Sequence, residues 1–248
     1  MSAMIRVMTL NLRTSAASDG PNAWPLRWPH VKALIEEVAP QVLGVQECLP
    51  DQLAAIMGEV AGYYAYIGPD TMVPHHHPMR NPIFICQQCP RPLSEGALAL
   101  NESGVIGQVS WDGRESRLAH WCRFDGWTLV NTHFDAWDCK QARYESARLL
   151  TAFFQDDPAV LIMGDLNCGP DEPPIRHFRQ AGYTLAKDIL PPGEDRTTFH
   201  NFTGRGVAEL DYILLRGLRA RRVNIPRPRR EPPYLSDHDP VVADVEIG

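Results

Sequence analysis

No stretch of this 248-residue chain approaches the roughly 18–20 consecutive apolar residues that a membrane-spanning helix needs; the purest apolar run, 159–163, is five residues long. The N-terminus, MSAMIRVMTLNLR, lacks a basic segment followed by an apolar one, so no signal peptide is readable. Lysine is scarce: Lys32, Lys140 and Lys187 stand against 21 arginines, a bias that runs over the whole chain and reads as genome composition. Net charge is −6, from 24 basic and 30 acidic residues, where a duplex-DNA footprint would be basic. No zinc-spaced Cys/His set, G-x-S-x-G elbow or P-loop glycine pattern is present, which argues against zinc, serine-nucleophile and nucleoside-triphosphate chemistry. There is no repeat, low-complexity tract or splitting linker, so residues 1–248 read as one domain. At 44% hydrophobic and 22% charged residues, the chain has the means to bury a core without a disulfide framework.

What is present is a mixed order of elements. Apolar runs bounded by turns predict strands at 5–12, 41–46, 83–86, 118–124, 128–132, 159–163, 210–215 and 241–247. Apolar residues at helical spacing predict helices at 28–38 and 141–154, with shorter ones at 50–58 and 173–181. Pro29 suits the first turn of the first helix. Too many strands are adjacent in sequence for a doubly wound parallel sheet, so two packed sheets covered by helices are expected.

Polar residues recur where these strands end or begin. Asn11, Glu47, His133 with Asp135, and Asp165 with Asn167 follow apolar runs; Asp211 opens one, and Asp237-His238-Asp239 precedes another. Any one of them has a plain reading as a turn or cap residue. Their convergence is harder to explain by stability, since buried carboxylates are costly unless paired or metal-bound. Carboxylates with an Asn amide are hard oxygen ligands suited to Mg²⁺ or Mn²⁺. A His beside an Asp, with another Asp to orient it, supplies a general base. The residue types therefore point to metal-assisted attack of water on an ester.

In order, TLNLR, GVQE, NTHFD, GDLN, ELDYIL and SDHDPV resemble the motifs of the endonuclease/exonuclease/phosphatase superfamily, the DNase I-like metal phosphoesterases, over nearly the whole chain. NAWPLRWPHVKALI, ARYESARLL and TTFHNF further resemble a bacterial subgroup of predicted hydrolases. The resemblance implies an α/β (α+β) four-layer sandwich of two packed, mostly antiparallel sheets flanked by helices, and a bacterial cytoplasmic location. It implies that Glu47 is the principal metal ligand, helped by Asn11, with Asp237 near the metal or serving a second one. His238, oriented by Asp211, would be the base, with Asp165 the alternative acceptor of the water proton; Asp165 and Asn167 would position the water and the phosphoryl oxygens; His133 would donate to the phosphate. The expected enzyme hydrolyses a phosphomonoester or phosphodiester with Mg²⁺ or Mn²⁺, a small or single-stranded substrate being favoured over duplex DNA. Nuclease action is the alternative within the class. An inactive binding protein on the same fold is the rival outside it, disfavoured because all eight of these residues are intact.

Weaker features remain. Arg117 and Arg143 follow the subgroup pattern and are read as phosphate contacts or supports for a catalytic carboxylate, against plain ion pairs. His200 lies on the loop leading to Asp211 and is placed with them. Seven arginines crowd 216–230, and Arg227, Arg229 and Arg230 are candidates to capture an anionic substrate, with a charge-blunted strand edge as the competing reading. His75-His76-His77 reads as a solvated loop. Cys86 and Cys89, spaced CxxC with no second pair, read as two small buried hydrophobes.

Overall fold

The computed structural model describes residues 3–66, 80–229 and 231–248. In chain order its main elements are β1 (Ala3–Asn11), α1 (Trp24–Val38), β2 (Val42–Gln46), α2 (Pro50–Glu59), β3 (Tyr63–Tyr66), β4 (Ile83–Cys86), β5 (Ser94–Ala99), β6 (Leu118–Phe124), β7 (Trp127–His133), α3 (Lys140–Phe153), β8 (Val160–Asp165), α4 (Pro173–Gln180), β9 (Thr184–Leu185), β10 (Asp211–Arg216), β11 (Arg219–Asn224) and β12 (Val241–Ile247). No helix among the described residues is long and apolar enough to cross a membrane.

Strand alternation sorts the apolar residues into three layers of core. On β1, Ile5 and Val7 join Val42, Leu129, Leu161 and Ile213 between the two sheets. Met8 and Leu10 point the other way, against Trp24, Trp28, Val31 and Ile35 of α1. Val130 and Ile162 likewise face Ala147 and Leu150 of α3 and Ile175 and Phe178 of α4. The result is helix–sheet–sheet–helix, a DNase I-like α/β sandwich. The sheets run β11-β12-β1-β2-β4-β3 and β5-β6-β7-β8-β10-β9. Each has one parallel pair at its centre, β1 with β2 and β7 with β8, bridged by α1 and α3. The remaining pairs are antiparallel, including β12 on β1 and β10 on β8. That arrangement brings the ends of β1, β2, β7 and β8 to one rim, together with the starts of β10 and β12.

Several expectations needed correcting. Helix α1 begins at Trp24, with Pro25 in its first turn and Pro29 inside it; Trp24, Arg27, Trp28, Val31, Leu34 and Ile35 make one buried stripe that rewards the extra turn. Strands β3, β5, β9 and β11 escaped the sequence reading. They lack an apolar alternation because they lie at or near sheet edges, half in water. Strand β11 is the charge-blunted edge: Arg219, Arg221 and Arg222 are exposed along it. Cys86 and Cys89 are partly exposed and paired as a disulfide, with Cα atoms 5.5 Å apart, so they are not independent core residues. His75-His76-His77 lies outside the described residues.

Candidate active site

The rim is built by register. Asn11 ends β1, and Glu47 directly follows β2. His133 and Asp165 end the parallel strands β7 and β8 and sit opposite each other; Asp211 opens β10 opposite Asp165. Gly164 lets β8 reach this position: its φ is +144°, and a Cβ there would drive into the Thr132 carbonyl. The backbone is left-handed at Arg13 (φ 55°), Glu47 (φ 56°) and Asn167 (φ 48°). Such conformations cost non-glycine residues about 1–2 kcal/mol each and gather at functional sites.

The side chains interlock. Asn11 Nδ2 donates to Glu47 Oε1 at 3.1 Å and to Asp165 Oδ2 at 3.0 Å, while its Oδ1 accepts the Arg13 N–H at 2.9 Å. Asn11 is therefore placed as a donor that orients two carboxylates, and its oxygen is turned away from them, unlike the ligand role the sequence suggested. Glu47 Oε2 accepts from Thr14 N at 3.0 Å. His238 Nδ1 lies 2.8 Å from Asp211 Oδ2, and its Nε2 lies 3.6 Å from Asp165 Oδ2. His133 Nε2 approaches the same Asp165 oxygen to 3.4 Å, and its Nδ1 is 3.1 Å from Arg117. Arg117 can only donate to Nδ1, and the Asn167 amide nitrogen lies 3.1 Å from Nε2. Asp237, bonded by Ser236 Oγ at 3.1 Å, is 3.9 Å from Arg13 Nε.

Burial and neighbours divide these groups. Burial, assisted by Arg117 and His238, holds His133 well below 6.5 and so neutral. Burial also opposes charge on His238, but the carboxylates of Asp211 and Asp165 outweigh it and raise its pKa well above 6.5. Burial lifts Asp165 from its ordinary 3.8 to about 7, despite His238 nearby. Asp165, Asp211 and His238 bring ligand atoms within 4.8 Å of one another, a cluster able to hold a metal ion. Asp211 Oδ1 is buried with no hydrogen-bond partner. Four carboxylates (Glu47, Asp165, Asp211 and Asp237) thus share one rim, a donor set of hard oxygens that fits a divalent cation.

The sequence matches the model of the Endonuclease/Exonuclease/phosphatase family over residues 8–238. The chain belongs to this family. Membership makes it a hydrolase of phosphate esters. Solved structures agree in fold. A family member from Bacteroides vulgatus is 23% identical with a TM-score of 0.87, covering 99% of this chain and 100% of its own. The mannosyl-6-phosphatase of Bacteroides thetaiotaomicron VPI-5482 is 22% identical with a TM-score of 0.85, covering 97% and 99%. The catalytic domain of human Nocturnin is 21% identical with a TM-score of 0.74, covering 98% and 96%. No curated protein matches the sequence.

Of the weaker candidates among the described residues, Arg117 alone contacts the side chain of a rim residue, His133. Arg143 is buried behind the rim: its guanidinium bonds the carbonyls of Asn167 and Trp137 at 2.5 and 2.7 Å and Glu172 at 2.8 Å, so it holds a loop and cannot meet substrate. His200 is buried too; its N–H donates to the Asp237 carbonyl at 2.9 Å, and its ring packs on Tyr234. Arg227 is taken up by Asp239 at 3.0 Å and Asp195 at 2.9 Å, which corrects its reading as an anion trap. Arg229 lies 3.5 Å from the Pro232 carbonyl, and Arg230 is outside the described residues.

Two supports were missed. Arg27, fully buried, donates to the carbonyls of Asn22, Leu12, Leu235 and Arg13 at 2.6–2.9 Å. It thereby ties the loop after Asn11 to the loop before Asp237. Thr198 Oγ1 accepts the N–H groups of Leu210 and Asp211, both at 3.1 Å. Main-chain partners carry no side-chain signature, so no motif could have shown either role; the one usable sign was an arginine on the apolar stripe of α1. Arg143→Ala should therefore lower stability by roughly 2–4 kcal/mol, through orphaned carbonyls and the unpaired Glu172. It should also lower kcat while leaving KM within about twofold, since the residue acts through Asn167. Thermal denaturation and steady-state kinetics check both; a large rise in KM alone would put Arg143 in contact with substrate.

The titration directions give a second prediction. With metal removed, Asp165 has a folded-state pKa above its ordinary 3.8, so its contribution to stability is full below that value and is lost as pH rises towards about 7. Asp165→Asn removes the dependence. Relative to wild type, the variant should gain about 1–3 kcal/mol between about pH 4 and pH 8 in EDTA, a Tm difference of several degrees. A Tm difference that does not change with pH would show that Asp165 is not raised.

Proposed function

We propose that the chain is a Mg²⁺- or Mn²⁺-dependent phosphoesterase that cleaves a small or single-stranded phosphomonoester or phosphodiester by direct attack of water. The observation that carries this reading is the geometry of the rim, where the Asp165 carboxyl sits 3.4 Å from His133 Nε2 and 3.6 Å from a His238 ring that Asp211 holds at 2.8 Å. A base works best when its pKa lies near the operating pH, so Asp165 is suited to take the proton of the attacking water. His238, held cationic by Asp211, faces the charge that develops on the phosphoryl oxygens. His133 and the Asn167 amide lie beside it, 3.1 Å apart, and Arg117 braces the His133 ring from its other nitrogen. Glu47 and Asp237 would hold the cation, with Asn11 orienting Glu47. When bound, the metal supplies Lewis-acid stabilisation of charge on the phosphate.

The acidic balance of the chain disfavours long duplex DNA. Trp137, 73% exposed on the loop after β7, has its carbonyl held by the same Arg143 that holds Asn167. Hydrolysis of an aryl phosphate monoester, an aryl diester, single-stranded DNA and duplex DNA should be compared with Mg²⁺, Mn²⁺ or EDTA. Turnover abolished by EDTA, and fastest on a small ester or the single strand, is expected. Preference for duplex DNA would overturn the substrate reading, and turnover that survives EDTA would overturn the metal.

A further inference from the structure

We infer that Glu95, His120 and Cys122 form a second metal site, selective for Zn²⁺, on the inner face of the second sheet and separate from the catalytic rim. His120 and Cys122 are two residues apart on β6, so they share a face. Strand β5 pairs antiparallel with β6 and sets Glu95 directly opposite Cys122, adding a third donor to that face. One ligand atom from each lies within 4.8 Å of the other two. The Glu95 Oε2–His120 Nε2 separation is 3.6 Å. Zinc bonds to N and O of about 2.0–2.2 Å and to S of about 2.3 Å put tetrahedral ligand atoms roughly 3.3–3.8 Å apart. The Glu–His pair already has that spacing, and the thiol needs to move by about 1 Å.

A second observation points to a ligand. His120 is 1% exposed, and its buried ring has no side-chain hydrogen-bond partner, the Asn81 main chain accounting for one ring nitrogen at most. Glu95 stands beyond hydrogen-bonding range. An imidazole buried in this way is costly unless something takes up its lone pair. Burial pushes His120 down to about 4, so the ring is neutral and that lone pair is free. Burial pushes the Cys122 thiol up to about 12, so metal binding must release its proton to solvent. Glu95, with its side chain 50% exposed, supplies the way in and leaves a coordination position for water. A thiolate with an imidazole selects zinc over the magnesium and manganese suited to the all-oxygen rim. Bound there, the ion would pin β5, the edge strand of the sheet, to β6.

Cobalt is the probe, because a thiolate ligand gives Co²⁺ a near-ultraviolet charge-transfer band that an oxygen and imidazole site lacks. The full chain, with the Cys86–Cys89 disulfide intact, is stripped with EDTA and titrated with Co²⁺. The band should rise to one equivalent in wild type and in Glu47→Gln, and added Zn²⁺ should bleach it. Cys122→Ser should abolish it. Glu95→Gln, at an exposed side chain that leaves the fold unstrained, should weaken Co²⁺ binding about tenfold or more. No band in wild type, a band that persists in Cys122→Ser, or unchanged affinity in Glu95→Gln would each overturn the site.

Discussion

Glu47→Gln is expected to lower metal-dependent kcat by at least about 10³-fold while leaving the fold intact. The substitution is isosteric. The Glu47 oxygens accept from Asn11 Nδ2 and Thr14 N, so glutamine keeps one of these bonds and loses the other, at a cost near 1 kcal/mol. The left-handed backbone at residue 47 tolerates glutamine as it tolerates glutamate, because the two have the same backbone and Cβ. What disappears is a full negative charge among four carboxylates that otherwise demand a cation. Mn²⁺ affinity by calorimetry should fall with kcat, and the circular dichroism spectrum should not change. Full activity in the variant would remove Glu47 from the metal site. A collapsed spectrum would mean that its bond to Asn11 holds the rim together.

The parts of this architecture that were legible in the sequence are those written in apolar alternation and in motifs at strand ends. The fully buried strands β2, β7 and β8 announce themselves because both faces are covered. GDLN shows its glycine for a steric reason, the approach of β8 to the Thr132 carbonyl. The side chains of Asn11, Glu47, His133, Asp165, Asp211 and His238 do converge on one rim. Edge strands were illegible: β11 is half arginine because an edge must repel other edges, and that pattern looks like a solvated loop. The arginines misled in the opposite direction. Arg143 and Arg227 were weighed as charges for an anionic substrate, yet each spends its guanidinium on carbonyls or carboxylates of its own chain. Net-charge arithmetic cannot separate an arginine aimed at substrate from one stapling a loop, because both count as +1.

The same geometry ranks the rim residues by the way they act, and His238 gives the sharpest test. His238→Ala should lower kcat by about 10²–10⁴-fold, since it removes a buried cation poised beside Asp165 and the reacting phosphate. Asp211 acts mainly through the 2.8 Å bond that holds the His238 ring and its charge, and its carboxylate also raises the neighbouring Asp165. Asp211→Asn alone should cost less, about 10–10²-fold, because the amide oxygen can still accept from Nδ1 while the attraction that raises His238 is lost. In the His238→Ala background, Asp211→Asn should then cost almost nothing more, as expected of residues that act as one unit. The acid limb of kcat/KM, which Asp165 sets, should remain in His238→Ala and move towards higher pH, because the cation that opposes protonation of Asp165 has gone. A loss under about tenfold in His238→Ala would demote the histidine to a structural part of the rim. Fully additive losses in the double variant would show that Asp211 meets the substrate itself.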